Sequence, residues 1–163
     1  MLVTAYGQAG YISHQQKSVD VSPVIPKEIL EKHRAQGGGT YFHLPECVFK
    51  PDQWSTAFLR GLYSFGMNHS FKSKIAVELG TGSGINLVLV KTVFNPPYIY
   101  GSDIHPEVPD VAIENVHYNM PIFRQRTSKI IQGGHNLGQW MKEGFRADII
   151  FGCLPQVVAP PSI

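Results

Sequence analysis

Residues 75–88 read Ile75-Ala-Val-Glu-Leu-Gly-Thr-Gly-Ser-Gly-Ile-Asn-Leu-Val88, and their order decides the fold. An apolar run from Ile75 to Val77 meets one acid, Glu78. Glycines follow at alternate positions, Gly80, Gly82 and Gly84, and the sequence then turns apolar again. The pattern predicts a buried strand, a tight turn and the start of a helix. Alternating glycines permit positive φ and let backbone approach a ligand with no Cβ in the way. A helix opening at Ile85 would offer unpaired N–H groups to an anionic or strongly polar ligand. A nucleotide-like molecule fits that description.

Spacing narrows the choice. The dinucleotide fingerprint G-x-G-x-x-G would need its last glycine at Ile85 when counted from Gly80, or at Leu87 when counted from Gly82. Both registers fail, and no Lys-Ser/Thr pair follows the glycines as a phosphate loop requires. What remains is acid-x-Gly-x-Gly-x-Gly. An acid at the strand end suits a ligand that carries an amino group and would repel a pyrophosphate. Glu78-Leu-Gly-Thr-Gly-Ser-Gly84 resembles the first motif of class I S-adenosylmethionine (SAM)-dependent methyltransferases. That resemblance implies a Rossmann-like α/β fold, mostly parallel, with helices on both faces and SAM as cofactor. The bland alternative is a glycine turn ahead of a packing helix.

Working outward, a helix from Ile85 to about Val93 leads to a second strand, Tyr98-Ile-Tyr-Gly-Ser102, which ends at Asp103. In a nucleoside-binding sheet an acid at this place accepts hydrogen bonds from both ribose hydroxyls. The run Gly101-Ser-Asp-Ile-His-Pro106 resembles the matching methyltransferase motif. Asn95-Pro-Pro-Tyr98 spells the tetrapeptide with which amino-group methyltransferases grip a planar nitrogen. Here it lies before the second strand, at the opposite end of the sheet from a ligand crevice, and reads as a turn. A third helix spans Pro106 to Tyr118, and a third strand Ser128 to Gln132. After that strand, family members carry an acid for the adenine amino group, whereas this chain offers Gly134, His135 and Asn136. Arg124, Arg126 and Lys129 form a small basic cluster that reads as a solvated face. The fourth strand runs from Ala147 to Gly152 and leads into Cys153-Leu-Pro-Gln156.

Upstream, residues 1–21 show no periodicity and read as a loose arm. Pro26 opens a helix through Arg34, and Gly37-Gly-Gly39 ends it. His14 and His33 read as solvated. Tyr41-Phe-His-Leu44 and Cys47-Val-Phe49 suggest irregular strand or cover. From Asp52 to Tyr63, Trp54, Phe58, Leu59 and Leu62 fall at helical spacing, chiefly a packing stripe. Phe49-Lys-Pro-Asp-Gln-Trp-Ser55 and Gly152-Cys-Leu-Pro-Gln156 resemble segments of plant-type methionine S-methyltransferases. Residues 1–45 are thus expected to form an N-terminal arm and helix, and 46–163 the N-terminal part of a methyltransferase domain.

The resemblance implies a site. Glu78 is expected on the methionyl amino or ribose side of SAM, Asp103 at the ribose, and Gly80, Gly82 and Gly84 at close backbone approach. Thr81, Ile104, His135 and Trp54 complete the expected cofactor contacts, with Trp54 or Tyr41 as a lid or cation–π neighbour of the sulfonium. Cys153, Pro155 and Gln156 would form the acceptor and catalytic segment. A thioether acceptor has no proton to lose, so this segment needs no general base. Aligning donor and acceptor can by itself contribute roughly 7–11 kcal/mol.

Bulk properties set limits. At 163 residues, 43% of them hydrophobic, the chain is one domain by length and long enough for a core. A net charge of +2, with 16% charged residues, disfavours extended nucleic-acid binding. Cys47 and Cys153 show neither metal-ligand spacing nor a disulfide framework. No signal pattern and no membrane-length run is present, so a cytoplasmic protein with no membrane partner is expected. The sequence ends eleven residues after Gly152, whereas the class I fold normally has seven strands. A fold cut short after the fourth strand would leave an open sheet edge for an oligomer or partner chain to cover. The leading expectation is methyl transfer to a small molecule, with methionine sulfur as the acceptor. The alternatives are an RNA or protein methyltransferase, or a non-catalytic SAM-binding module completed by another chain.

Overall fold

A computed structural model describes residues 18–46, 48–68, 75–120, 128–132 and 146–152. Four parallel strands form the main sheet: β3 (Ile75–Leu79), β4 (Tyr98–Asp103), β5 (Ser128–Gln132) and β6 (Ile149–Phe151). Their order is β5-β4-β3-β6. The chain steps outward from β3 to β5 and then returns to pair β6 on the other side of β3. Strand order therefore reverses between β3 and β6, the arrangement of a Rossmann-like sheet. In such sheets ligands bind beyond the carboxyl ends of the strands at that reversal. A separate antiparallel pair joins β1 (Ser18–Asp20) to β2 (Tyr41–His43).

The helices are α1 (Lys27–Ala35), α2 (Gln53–Asn68), α3 (Ile85–Phe94) and α4 (Val108–Asn119). In α3 every residue from Ile85 to Thr92 is buried. A helix buried on all sides must be enclosed by other elements, and α1, α2 and α4 all pack against it. Ala76, Ile99 and Phe151 join Leu87, Leu89 and Val90 in this core. Strand alternation then places Val77, Tyr100 and Ile150 on the opposite face of the sheet. The described helices gather on one face only. The loop at 95–97 enters β4 opposite Ile75, at the amino end of the sheet, so Asn95-Pro-Pro-Tyr98 does lie away from the crevice. There Asn95 is left-handed at φ 49°, ending α3, and Lys91 donates to the Pro96 carbonyl.

Local signals explain the helix ends. Asp52 Oδ1 accepts from the backbone of Trp54 at 2.9 Å and Ser55 at 3.2 Å, while Ser55 Oγ accepts from the Asp52 N–H. This reciprocal box starts α2. At the end of α1, Gly37 is left-handed at φ 77°. Its N–H bonds the Arg34 carbonyl and that of Gly38 bonds His33, a Schellman motif. Within α2, Leu59 is buried and Phe58 stacks on Phe151, whereas Trp54 is 70% exposed and stands outside the packing stripe.

Two expectations are corrected. Residues 18–20 are a strand rather than loose arm, because Ser18, Val19 and Asp20 pair with His43, Phe42 and Tyr41. His33 is buried, not solvated. Its Nε2 donates to the Gly39 carbonyl at 2.9 Å, which leaves Nδ1 to accept from the Thr92 hydroxyl at 2.8 Å. The polar letter concealed a clasp between α1 and α3. Burial lowers the His33 pKa from 6.5, opposed by the Gly39 bond and assisted by the Arg34 charge. A neutral buried imidazole contributes stability in full above about pH 6.5, and loses it as pH falls through the lower folded pKa. The denaturation midpoint is expected to fall between about pH 7 and 5, above the carboxylate range. His33→Gln should remove that slope; an unchanged slope in the variant would assign it elsewhere.

Candidate functional site

The turn after β3 is closed on itself and fastened to β4. Gly80, Gly82 and Gly84 all take positive φ, at 68°, 52° and 80°. The three glycines are not equivalent. A Cβ on Gly84 would lie 3.0 Å from the Ala112 carbonyl oxygen, so this glycine lets α3 start close against α4. A Cβ on Gly82 would meet nothing within 4 Å, so the turn opens to free space there. Thr81, buried between them, donates its N–H at 2.9 Å and its hydroxyl at 3.2 Å to the Ser102 carbonyl. The Gly84 N–H donates back to the Thr81 carbonyl at 2.9 Å.

Asp103 completes the turn. Its Oδ2 accepts from the Gly82 N–H at 3.0 Å and its Oδ1 from the His105 N–H at 3.1 Å. The side chain is mostly buried yet not sealed, at 8% exposure. A carboxylate offers about four acceptor sites, so two backbone bonds leave two for a ligand. Such an acid, held rigidly beside an open glycine turn at the carboxyl end of the sheet, can accept from the vicinal hydroxyls of a ribose. The next residue, Ile104, is 62% exposed and stands at the same rim.

Glu78 occupies a different environment. It sits in β3 opposite Gly101 on one side and Phe151 on the other, at 0% exposure. Asn86, in the first turn of α3, donates from Nδ2 to its Oε1 at 2.8 Å. Glu78 Oε2 and Asn86 Oδ1 have no hydrogen-bond partner among the described residues. Burial pushes the Glu78 pKa well above its usual 4.5; the Asn86 bond opposes the shift, and the negative charge of Asp103 adds to it.

Two residues that the sequence reading did not single out hold the N-terminal segment against this turn. Asn115 of α4 accepts from the His43 N–H at 2.7 Å and donates to the His43 carbonyl at 2.9 Å and the Ser83 carbonyl at 2.9 Å. Asn119, one turn later, donates to the Tyr41 carbonyl at 3.0 Å. The clue was two asparagines four apart in a helix of otherwise apolar core contacts, where asparagine is a poor helix former. Asn115→Ala strands three backbone groups, the buried Ser83 carbonyl and two part-buried groups of His43, and is expected to cost about 2–3 kcal/mol of stability by denaturant titration. A loss below about 0.5 kcal/mol would mean water replaces all three bonds.

Among the expected site residues, Glu78, Gly80, Thr81, Gly82, Gly84, Asp103 and Ile104 converge on the carboxyl ends of β3 and β4. Trp54 projects from the first turn of α2, and no bond or packing contact of its side chain joins it to them. His135, Cys153, Pro155 and Gln156 lie outside the described residues, as do Arg124 and Arg126. The described residues contain no cluster suited to a metal ion, and no helix among them is long and apolar enough to cross a membrane.

No family model matches the chain, and no curated protein matches it. Solved structures do. One is a Pyrococcus horikoshii protein provisionally assigned as an RNA methyltransferase, 18% identical at a TM-score of 0.47, over 80% of this chain and 60% of the other. A second is an O-methyltransferase from Bacillus cereus in complex with S-adenosylhomocysteine, 20% identical at a TM-score of 0.46, over 77% and 51%. The third is an S-adenosylhomocysteine-bound methyltransferase from Podospora anserina, 17% identical at a TM-score of 0.45, over 85% and 52%. The chain thus spans between about half and 60% of the length of these structures.

Proposed function

We propose that this chain carries the cofactor-binding part of a SAM-dependent methyltransferase acting on a small molecule. The observation that carries the reading is Asp103, held by the Gly82 and His105 N–H groups at the open side of the glycine turn. In this reading Asp103 takes the ribose hydroxyls, the backbone at Gly80, Thr81 and Gly82 passes close to the cofactor, and Ile104 lies against the nucleoside. A carboxylate at this point favours a nucleoside with a free diol and an uncharged 5′ link over a nucleotide phosphate. When bound, SAM supplies a methyl group already activated by its sulfonium. The chain's own task is to orient the donor and exclude water.

The finer part of the proposal is the acceptor. Phe49-Lys-Pro-Asp-Gln-Trp-Ser55 and Gly152-Cys-Leu-Pro-Gln156 resemble methionine S-methyltransferase segments, which supports a thioether sulfur as the methyl acceptor. Cys153, Pro155 and Gln156 would shape its site, His135 would approach the adenine, and Trp54 would close over the sulfonium.

Calorimetric titration with S-adenosylhomocysteine tests the cofactor reading. Saturable binding at one site per chain is expected. A folded sample that binds neither this product nor SAM would overturn it. Transfer of labelled methyl from SAM to methionine, but not to an RNA pool, would support the acceptor; the reverse would favour the nucleic-acid reading.

A further inference from the structure

The buried contact between Glu78 and Asn86 contains a mismatch. Asn86 Nδ2 donates to Glu78 Oε1, but the other two oxygens, Glu78 Oε2 and Asn86 Oδ1, are both buried acceptors without a donor among the described residues. Leaving two such groups unsatisfied costs on the order of 1–3 kcal/mol each, and more for a charged one. Two donors could remove the mismatch. One is a ligand ammonium lodged against both oxygens, the role the sequence suggested for Glu78. The other is a single proton on Oε2, which turns that oxygen into a donor for Asn86 Oδ1. The carboxylic acid and the amide then close a ring of two hydrogen bonds, N–H to carboxyl oxygen and O–H to amide oxygen, and all four atoms are satisfied.

Burial decides between them. Glu78 is at 0% exposure in a central strand, opposite Gly101 and Phe151, with Asn86 of α3 bonded to its carboxyl. At 0% exposure Oε2 is sealed from solvent, so a ligand ammonium has no open approach to it. The charged group that acts on Glu78 is Asp103, at the end of neighbouring β4; β6 supplies Phe151 at the paired position and α3 supplies Asn86. Asp103 accepts from two backbone N–H donors, whereas Glu78 accepts from a single amide.

We propose that Glu78 is held as a neutral carboxylic acid in a two-hydrogen-bond pair with Asn86, and is a positioning residue that locks the glycine turn between β3 and α3 rather than a charged contact to the cofactor. The pair spans the turn, with Glu78 two residues before Gly80 and Asn86 two after Gly84. Asp103 is then the anion that the pocket presents to its ligand. This assignment rests on the cofactor reading only for its consequence in binding.

Glutamine is the isostere of the neutral acid: its amide N–H replaces the acid O–H toward Asn86 Oδ1, and its carbonyl still accepts from Asn86 Nδ2. In the full 163-residue chain, Glu78→Gln is expected to bind S-adenosylhomocysteine within about threefold of the unsubstituted chain. At neutral pH, infrared spectra of the unsubstituted chain are expected to show a protonated-carboxyl carbonyl band. That band should move on [13C]glutamate labelling and vanish in Glu78→Gln. Loss of affinity by about tenfold or more in a variant that melts like its parent would overturn the proposal and restore Glu78 as a ligand-facing carboxylate. Absence of the band from the labelled unsubstituted chain would overturn it as well, whether or not the variant folds. If the unsubstituted chain binds no S-adenosylhomocysteine while the band is present, the cofactor reading fails and the acid–amide pair stands.

Discussion

Asp103→Ala is expected to weaken S-adenosylhomocysteine binding by about 100-fold or more. In the proposed reading two charge-assisted hydrogen bonds to the ribose diol are lost, each worth about 1.5–3 kcal/mol, and each 1.4 kcal/mol is tenfold in affinity. A second contribution comes from the turn. Oδ2 of Asp103 holds the Gly82 N–H at 3.0 Å, so the variant also frees the segment that the ligand must approach. Asp103→Asn separates the two contributions, since an amide keeps one acceptor oxygen for Gly82 and offers less to the diol. Calorimetric titration of both, with circular dichroism to establish folding, provides the check. Affinity within about threefold of the parent in a folded Asp103→Ala would remove Asp103 from the site.

Gly101→Ala is expected to damage fold and site together. A Cβ at this position in β4 would overlap the Thr81 hydroxyl and lie 3.0 Å from Leu87 Cδ1 and 3.1 Å from Thr81 Cγ2. Thr81 cannot simply turn aside, because its hydroxyl and its N–H both bond the Ser102 carbonyl. Overpacking of this kind costs about 1–3 kcal/mol, which lowers the melting temperature of a domain of this size by about 3–10 °C. Thr81 lies next to Gly82, so ligand affinity should fall with stability. An unchanged melting temperature would show that the turn has slack that its hydrogen bonds do not suggest.

These two variants mark the limits of what could be read from the sequence. Asp103 was legible because its type, its place at the end of an apolar strand and its distance from Glu78 all follow from local pattern. Gly101 was not, because its necessity comes from Thr81, twenty residues earlier and across the sheet. Asn115 and His33 were missed or misread for the same reason. A polar letter inside an apolar element says only that a partner is required, and the partners His43, Ser83, Gly39 and Thr92 come from distant parts of the chain.

By itself, the sequence determined the strand–turn–helix at 75–88, the positions of the four parallel strands, the helices between them and the two acids at the strand ends. Apolar periodicity, glycine spacing and capping residues act over a few positions, and a linear reading captures them. Only the tertiary structure decided the sheet order β5-β4-β3-β6, which places the crevice beside β3. It also decided that β2 is bound to α4, and that the two acids have opposite surroundings. Asp103 faces the open turn between two N–H donors, and Glu78 lies under α3 against an amide. Both are carboxyl groups in sequence. Burial and hydrogen-bond partners, which depend on what packs across the sheet, set one beside an open turn and seal the other inside the core.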